Sequence, residues 1–436
     1  MTLAKSAVEM LRGKREISFY FSTLTLADSL LALCYGLLVL AGLPVARGGR
    51  ERFTRLVAQM FGTKEIHLYG SARSALYAHL KSLGLEPGAE VIVTGFTCEV
   101  VPNAVINAGL TPVYADIDPE SYCMTAGSAA KVVSERTRVL IVQHTFGVAA
   151  ELEPLLDLAR RHGLYVIEDC AVSLGSFYRD RLTGTFGDAA IFSFELSKTI
   201  TSCWGGMLLV NSGKRDGGRK QREFYQQVPA QHPVHSGRLL MQLGLSGLLS
   251  RPVLCNLGKY ASSFFYASGF FRRSTSPEEL DGKLPAGYLH SLSDPQAVLL
   301  LRQLKRLERI TGHSCGVAKY YQEELAALPG ITPYRSPEGA RYNLIRYPLR
   351  CGDRDQWGPE FQRASIDLGL WFTAPLSSPE VDHPLFGYRQ GDCPNAEEVA
   401  ATICNLPTNL RVTEKDRAGI VRLCSAAAGR AAVRRQ

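Results

Sequence analysis

The sequence has no cysteine or histidine pairs with metal-ligand spacing, and these absences exclude several classes of protein. Its 11 cysteines are scattered singly, without a Cys-x-x-Cys pair, which argues against a disulfide framework and a structural zinc site. The nine histidines include no His-x-x-x-His pair, so we expect no metal centre. Scattered single cysteines are typical of a reducing compartment, and we therefore expect a cytoplasmic protein.

The excess of positive over negative charge is small. Lysine and arginine number 49 against 41 aspartate and glutamate residues, a net charge of +8. No basic stripe interleaves with aromatic residues, so we expect no nucleic-acid partner. The balance is compatible with an anionic substrate or a membrane surface. With 46% hydrophobic and 21% charged residues in 436, the composition is globular and the length suits two domains.

One N-terminal stretch almost lacks charge. Between Glu16 and Arg47 the only charged residue is Asp28, and residues 29–46 are mostly apolar, near the lower length limit for a spanning helix. A second segment, 239–273, has shorter apolar runs edged by arginines, which suits an interfacial element. Three interpretations stay open: buried helices or subunit contacts, contact with the inner face of the membrane, and a true span. The first apolar run starts too late for a cleavable signal peptide.

From about residue 52 onward, apolar runs alternate with helical patterns in the rhythm of βαβ units. Continuous apolar strands are buried on both faces, so the pattern predicts a mostly parallel sheet covered by helices. The predicted strands are 91–94, 112–115, 139–142, 165–168, 190–194 and 207–210. The predicted helices between them include 74–82, 101–108 and 151–162. In such sheets the ligand lies at the carboxyl ends of the strands.

We divide the chain into four parts. These are an N-terminal extension (1–50), a large domain (51–294) with an apolar insertion at about 225–285, a long linking helix with a small C-terminal α/β domain (295–425), and a basic tail (426–436). The linking helix is predicted from 295 to about 328, because its apolar residues recur at helical spacing.

Two residues at predicted strand ends carry the strongest chemical signal. Asp169 closes the strand 165–168, and Lys198 follows the strand 190–194 after a short polar turn. A lysine that faces an acid from a neighbouring strand end suits the amine that holds an aldehyde cofactor as a Schiff base. An acid beside a pyridine nitrogen keeps that nitrogen protonated, so that the ring acts as an electron sink.

Three further sequence features suit the binding of a phosphate-bearing ring. The turn Ser71-Ala72-Arg73 opens a helix, where backbone amides approach a phosphate and the serine and arginine add donors. Ser193 lies five residues before the lysine and is a candidate for the same phosphate, and Cys98 lies in a loop placed to cover a ring. Each piece alone has a commoner structural meaning, such as a helix N-cap, but the ordered set is uncommon.

In this order, the motifs resemble those of the DegT/DnrJ/EryC1/StrS sugar aminotransferases, which are fold-type I pyridoxal-phosphate enzymes. The resemblance runs from about residue 56 to about residue 416. It is carried by residues 91–118, 143–147, 168–175, 187–206 and 396–407.

The resemblance implies a homodimer with active sites at the subunit interface and pyridoxal 5′-phosphate (PLP) as the cofactor. Lys198 is then the Schiff-base lysine and proton shuttle, and Asp169 the partner of the pyridine nitrogen. The other implied cofactor contacts are Ser193, Ser71, Ala72, Arg73, Ala171 and Cys98. The implied reaction transfers an amino group, expected from glutamate, to a keto group of a nucleotide-linked sugar. Such reactions serve amino-sugar, polysaccharide or secondary-metabolite biosynthesis.

The chain departs from the family pattern near the expected cofactor. Cys98 stands where members of the family carry an aromatic residue that stacks on the ring, and Val172 stands where they often carry glutamine or histidine. Residues 289–291 replace an Asn-Tyr-Arg stretch whose asparagine reaches the phosphate bound by the partner subunit. Transamination leads because Lys198 stands where the family's sugar dehydratases carry histidine. The alternatives are a PLP enzyme of this family with another reaction or a non-sugar substrate, and a catalytically weak scaffold at the membrane.

Overall fold

The computed structural model describes Ile17 and residues 23–63, 65–211, 217–251, 255–352, 354–377 and 379–434. Most of the N-terminal extension before residue 23 and the last two residues of the basic tail lie outside the described residues. The predictions that concern those residues therefore stay predictions, as does the division of the chain into domains.

The described residues form helices and strands along the whole chain. The helices are α1 (Leu26–Leu40), α2 (Gly49–Phe61), α3 (Ala72–Leu83), α4 (Val100–Asn107), α5 (Ala126–Ala130), α6 (Leu152–Arg161), α7 (Gly217–Gln226), α8 (Pro233–Leu249), α9 (Cys255–Ala267), α10 (Pro277–Leu280), α11 (Asp294–Leu304), α12 (Leu307–Leu325), α13 (Arg354–Arg363), α14 (Pro394–Thr402) and α15 (Glu414–Arg434). The strands are β1 (Glu65–Tyr69), β2 (Glu90–Thr94), β3 (Thr111–Ala115), β4 (Thr137–Gln143), β5 (Tyr165–Asp169), β6 (Phe177–Tyr178), β7 (Arg181–Leu182), β8 (Ala189–Ser193), β9 (Gly206–Val210), β10 (Ile331–Pro333), β11 (Ala340–Arg341), β12 (Arg346–Cys351) and β13 (Ile403–Pro407). Short 3₁₀ turns lie at Thr145–Gly147 and His383–Phe386.

A seven-stranded sheet of order β1-β9-β8-β5-β4-β2-β3 forms the centre of the fold. The strands β8, β5, β4, β2 and β3 are parallel, whereas β9 runs antiparallel to β8 and to β1. The six strands predicted from the sequence correspond to β2, β3, β4, β5, β8 and β9, and the predicted helices to α3, α4 and α6. The prediction of a mostly parallel α/β sheet covered by helices is confirmed.

Burial explains why these segments adopt these forms. In β4, all of residues 139–142 are buried apolar side chains, as in a strand covered on both faces. In α6, Leu152, Leu155 and Leu158 are buried while Arg160 and Arg161 are exposed, which is the amphipathic pattern of a helix lying on a sheet.

The C-terminal part contains a separate three-stranded antiparallel sheet of order β10-β12-β13. The single linking helix predicted from 295 to about 328 is wrong, because the segment forms two helices, α11 and α12. The chain leaves helical geometry at Arg306 (φ −112°, ψ 11°), and its guanidinium bonds to Asp28 and to the carbonyl of Thr23. The turn therefore attaches the helix pair to the N-terminal segment.

Both apolar segments contain helices, and these pack against each other as α1 and α8. Glycines allow the close approach: a Cβ atom on Gly244 would lie 2.6 Å from the Cγ of Leu33, and one on Gly237 would lie 2.7 Å from that of Leu40. Within the described ranges, no helix has both the length and the apolar composition needed to cross a bilayer.

The N-terminus of α1 is held by a buried carboxylate. Asp28 closes a capping box with Thr25, and its oxygens lie 2.8 Å from the Nε of Arg302 and 2.6 Å from an Nη of Arg306. Burial opposes ionisation, but the hydrogen bonds from Arg306, Arg302 and Thr25 outweigh it and lower the pKa of Asp28 to about 2. The one charge in this apolar stretch therefore anchors α1 to α11 and to the turn before α12.

We expect Asp28→Asn to lower the free energy of unfolding by about 2 kcal/mol, measured by urea denaturation at neutral pH. The expected loss is smaller than the loss on breaking a fully buried ion pair, because the guanidinium groups of Arg302 and Arg306 are partly exposed to solvent. The folded-state pKa is depressed, so the stabilisation is present above the ordinary value of 3.8 and is lost as the pH falls through about 2. Glu414→Gln, at an exposed pair with Arg417, is the control and should change stability by less than about 0.5 kcal/mol. An equal effect of the two substitutions would contradict the anchoring role.

Candidate active site

A pocket of about 340 Å³ lies at the carboxyl ends of β4, β5 and β8. The structure brings every site residue predicted from the sequence into its lining: Ser71, Ala72, Arg73, Cys98, Asp169, Ala171, Ser193 and Lys198. This is the edge of the sheet where a parallel α/β fold binds its ligand. The roles of the individual residues stay predictions.

Lys198 is presented by a tight turn that follows β8. Its backbone N–H donates to the carbonyl of Glu195 at 3.1 Å, and the Glu195 carboxylate accepts bonds from the amide and hydroxyl of Ser197. The surrounding protein withdraws the amine from water and lowers its pKa below the ordinary 10.5, although Glu195 and Asp169 oppose the shift. The turn therefore delivers an amine that loses its proton more readily than an exposed lysine.

Asp169 is the last residue of β5, and its carboxylate lies at the base of the same pocket. An oxygen accepts a hydrogen bond from the Ala171 amide at 3.0 Å. Burial raises the pKa of Asp169, while the Ala171 amide and the Lys198 charge act in the opposite direction. A cation placed beside this carboxyl would favour its ionised form, as a protonated ring nitrogen would.

The turn before α3 is the predicted phosphate contact. Ser71 is the N-cap of α3, and its hydroxyl accepts from the Ser74 amide at 3.2 Å, so this hydroxyl is engaged in capping. The amides of Ala72 and Arg73 belong to the first turn, whose N–H groups the helix itself does not satisfy. A Cβ atom on Gly206 would lie 2.2 Å from the carbonyl carbon of Ser71, so only glycine lets β9 approach the turn this closely.

The predicted insertion covers this turn. The guanidinium of Arg73 forms a 2.7 Å ion pair with Glu279 of α10, and the pair is almost completely buried. The ring of Trp204 lies 5.2 Å from the Arg73 guanidinium carbon and 4.0 Å from that of Arg272. Arg73 thus lines the pocket as predicted, but the acid that holds it in place was missed because it lies in a different part of the chain.

Cys98 lies in the pocket wall where the family carries an aromatic residue. Its thiol donates a hydrogen bond to the Glu99 carboxylate at 3.2 Å. Burial and the negative charge of Glu99 raise the pKa of Cys98 far above the ordinary value. The thiol therefore stays protonated and does not act as a nucleophile.

The sequence analysis singled out neither Arg346 nor Trp371, and both line the pocket. Arg346 begins β12 with its side chain buried, and its guanidinium carbon lies 4.0 Å from the ring centre of Trp371. The Nζ of Lys198 lies 5.0 Å from the same ring centre. The available signal was an arginine inside the otherwise apolar run 344–349 and one of only three tryptophans in the chain.

A cluster of His144, Glu168 and Cys170 lies buried beside the pocket, with one potential ligand atom from each within 4.8 Å of the others. The Glu168 carboxylate already accepts bonds from three backbone amides and from His144. Burial also raises the pKa of the Cys170 thiol well above its usual range. These groups are committed to holding the loop before β8, so we interpret the cluster as structural.

The pocket fits the phosphate-bearing aldehyde cofactor predicted from the sequence. It combines an amine of lowered pKa at Lys198, a buried carboxyl at Asp169, and the first helical turn of α3 at Ala72 and Arg73. Gly206 lets β9 pack closely against the backbone of this turn, whose position at a helix N-terminus suits an anion. Amine, acid and anion site are the three contacts that PLP needs.

A model of the DegT/DnrJ/EryC1/StrS aminotransferase family matches residues 46–234 and 253–424. The chain is 36% identical to GDP-perosamine synthase of Caulobacter vibrioides over 371 residues, which cover 84% of this chain and 86% of that protein. It is 28% identical over 374 residues to the spore coat polysaccharide biosynthesis protein SpsC of Bacillus subtilis, with coverages of 84% and 86%.

Solved structures show the same fold. The sugar aminotransferase CalS13 from Micromonospora echinospora matches with a TM-score of 0.68 at 20% identity, covering 94% of this chain and 99% of that chain. The PLP form of Spr1654 from Streptococcus pneumoniae matches with a TM-score of 0.72 at 18% identity, covering 95% and 99%. Both confirm the predicted fold.

We expect the Lys198 amine to titrate below pH 10.5, because the pocket withdraws it from water. Competitive labelling of the cofactor-free protein with acetic anhydride, followed by peptide mass spectrometry across a pH series, measures this midpoint. Arg346→Met should raise the midpoint, since the guanidinium charge is one of the causes that lower the pKa of Lys198. A midpoint at or above 10.5 in the wild type would contradict the pocket electrostatics described here.

Proposed function

The chain belongs to the DegT/DnrJ/EryC1/StrS aminotransferase family, and we propose that it transfers an amino group to a keto group of a nucleotide-linked sugar. PLP is the cofactor, and glutamate is the proposed donor. The observation that carries the proposal is the meeting of Lys198 and Asp169 in one pocket with an anion-binding turn. The likeness to a GDP-perosamine synthase over most of both chains supports a nucleotide sugar as the acceptor.

The residues of the pocket have distinct proposed roles. When bound, PLP supplies a conjugated ring that stabilises negative charge on the α-carbon of a bound amine. The Nζ of Lys198 takes the proton from the α-carbon of the donor, and the lowered pKa of this amine increases the fraction that is neutral and able to do so. The Asp169 carboxylate, which accepts from the Ala171 amide, would place negative charge against the ring nitrogen of the bound cofactor.

The remaining walls suit a sugar that carries a charged nucleotide. Trp204 and Trp371 line the pocket, and the guanidinium of Arg73, which pairs with Glu279, lies on the side of the α3 turn. Arginine is a frequent partner of phosphate oxygens. The scaffold alternative is not favoured, since the pocket keeps both the amine and the acid that amino transfer needs.

Loading the purified protein with PLP should produce a near-visible absorbance band that Lys198→Ala abolishes. With glutamate and a panel of keto-sugar nucleotides, the wild type should form an aminated sugar, and the variant should lose at least about 10²- to 10⁴-fold in kcat. Lys319→Ala, at an exposed position on α12, is the matched control. A wild type without the band, or a Lys198→Ala variant with full turnover, would contradict the proposal. A band with no amination of any sugar nucleotide would favour a different PLP reaction.

We also propose a homodimer, as the family resemblance implies. The segment 289–291, which stands in place of the family's Asn-Tyr-Arg stretch, lies directly beside the turn before α3. The Gly70 amide donates to the carbonyl of His290 at 2.8 Å, and a Cβ atom on Gly70 would collide with the His290 ring. The proposed interface therefore runs along the edge of the pocket formed by the α3 turn.

A third proposal concerns the apolar face of α1, which we assign to the surface of an anionic bilayer. Every exposed residue of α1 is apolar: Leu26, Ala27, Leu30, Cys34, Leu37 and Leu40. The leucines among them are 43–60% exposed, and Leu43 continues the face beyond the helix. Leucines in such numbers on one exposed helix face are typical of an interaction surface.

Charge favours a lipid surface over a protein partner. Residues 29–50 contain no aspartate or glutamate, and neither do residues 224–277, which hold five lysine and arginine residues. Exposed cations at Arg47, Arg238 and Arg273 accompany the two segments, and Tyr260 and Phe264 of α9 add exposed aromatic rings. Apolar and aromatic side chains flanked by cations suit an anionic membrane. The proposed location is therefore the cytoplasm, at the inner face of the membrane.

One set of measurements tests both the proposed dimer and the proposed membrane contact. The wild type should float with vesicles of phosphatidylcholine and phosphatidylglycerol, more weakly at high salt, and the double variant Leu30→Ser/Leu37→Ser should lower partitioning by about 10-fold or more. Leu385→Ser, at an exposed leucine elsewhere, is the control. Light scattering without vesicles should give twice the 47.8 kDa chain mass for all three proteins. Equal flotation of the wild type and the double variant would contradict the membrane proposal. A halved mass in the double variant alone would identify the α1 face as a subunit contact. A monomeric wild type would contradict the proposed dimer.

A further inference from the structure

Two helices that lie outside the family match pack against each other. The family model matches residues 46–234 and 253–424, so α1 and nearly all of α8 fall outside the matched ranges. The buried side chains of the two helices share one apolar cluster with Cys203 and Trp204. Because Trp204 also lines the pocket, this added pair of helices reaches the wall of the active site.

A buried glutamine of α8 holds the chain that runs from α9 to the pocket. The side chain of Gln242 accepts from the backbone amide of Arg272 at 2.9 Å and donates to the carbonyl of Arg272 at 3.0 Å. The guanidinium of Arg272 adds a second attachment. It donates to the Nε2 of His235 on α8 at 3.3 Å, and its carbon lies 4.0 Å from the ring centre of Trp204. The backbone and the side chain of Arg272 are therefore both fastened to the added pair and its cluster.

The chain continues from this clamp into the pocket wall. Ser274 and Thr275 line the pocket. The Thr275 hydroxyl donates to the carboxylate of Glu99, just before α4, at 2.7 Å. A few residues later, Glu279 forms its 2.7 Å ion pair with Arg73 of α3. This wall segment is thus held by α8 at one end and by the starts of α3 and α4 at the other, and Ser274 lies between the two attachments.

The exposed members of the lining mark the mouth of the pocket. They are Ser274 and Leu370, whereas the other lining residues are buried or half-buried. The pocket volume of about 340 Å³ is at the small end of the range for ligand sites, about 300–1,000 Å³. A nucleotide-linked sugar is much larger than an amino-acid donor. When it shares this volume with a cofactor, it must extend through the mouth and contact the residues there.

We propose that Ser274 binds the nucleotide-linked acceptor at the mouth of the pocket, and that Gln242 of α8 positions it through Arg272. A serine hydroxyl both donates and accepts hydrogen bonds, as the hydroxyls of a sugar or a ribose require. The hydroxyl of the neighbouring Thr275 is already engaged by Glu99. Gln242 and Arg272 act through Ser274 and are positioning residues. The inference rests on the proposed amino transfer, and it assigns recognition of the acceptor, but not of the donor, to the wall that α8 holds.

The kinetic test compares Gln242→Met and Ser274→Ala with the wild type as PLP-loaded enzymes. Methionine keeps the length of glutamine but loses both bonds to Arg272, so Gln242→Met should raise KM for the keto-sugar nucleotide that the wild type aminates fastest by about 10-fold. Ser274→Ala, at an exposed position that does not threaten folding, should raise the same KM about 5-fold. The half-reaction with L-glutamate, followed by the cofactor spectrum, should keep its KM and kcat in both variants. Gln227→Met, the same substitution at an exposed glutamine, is the matched control and should change neither KM.

A binding measurement separates this proposal from the proposed function. By isothermal titration calorimetry, the wild type should bind at least one of GDP-mannose, UDP-glucose and dTDP-glucose, which carry no keto group. Gln242→Met and Ser274→Ala should each weaken that binding about 5-fold or more, while the affinity for PLP stays the same.

Three results would overturn the proposal. They are a wild type that binds none of the three nucleotide sugars, a Ser274→Ala variant with unchanged affinity, and an equal rise of the glutamate and sugar KM values in Ser274→Ala. A wild type that lacked the cofactor band would count against amino transfer alone, since the titration with nucleotide sugars would still decide whether Ser274 binds them.

Discussion

The parallel register of two neighbouring strands is the constraint on which the site depends. In β5 and β8, Asp169 pairs with Ile191, so both strands end at the same edge of the sheet. The acid that closes β5 and the turn that follows β8 must then meet, because parallel strands deliver their carboxyl ends to one side. The glycine at 206 lets β9 approach the start of α3, which brings the α3 turn to the same edge. The positions of the amine, the acid and this turn are thus consequences of one sheet.

The balance of charge in the pocket follows from where its walls come from. The large sheet contributes the amine and acid, Lys198 and Asp169, whereas the C-terminal sheet contributes Arg346 at the start of β12. The insertion contributes Glu279, which neutralises Arg73 beside the α3 turn. Charges of both signs therefore reach the pocket and its rim from three distant parts of the chain.

Much of the fold and the centre of the site could be predicted from local pattern. Six strands and their parallel arrangement followed from continuous apolar runs, because burial on both faces requires such runs. The prediction of a single linking helix was wrong: the chain leaves helical geometry at Arg306, whose guanidinium pairs with Asp28 from a distant part of the chain. At Ser71 the structure adds that the hydroxyl caps α3, while its predicted contact with a phosphate stays a prediction.

By itself, the sequence determined which amine and acid would meet in the pocket, because Lys198 and Asp169 each follow or end a strand that is recognisable from consecutive residues. It also determined that the α1 segment would be apolar around one buried charge. Only the tertiary structure decided which side of α1 is exposed and which arginine faces the lysine. These depend on how α8 packs on α1 through its glycines and how the C-terminal sheet lies against the large one. Contacts between residues far apart in sequence produce no periodic pattern in either segment, so they can be seen only in the packed structure.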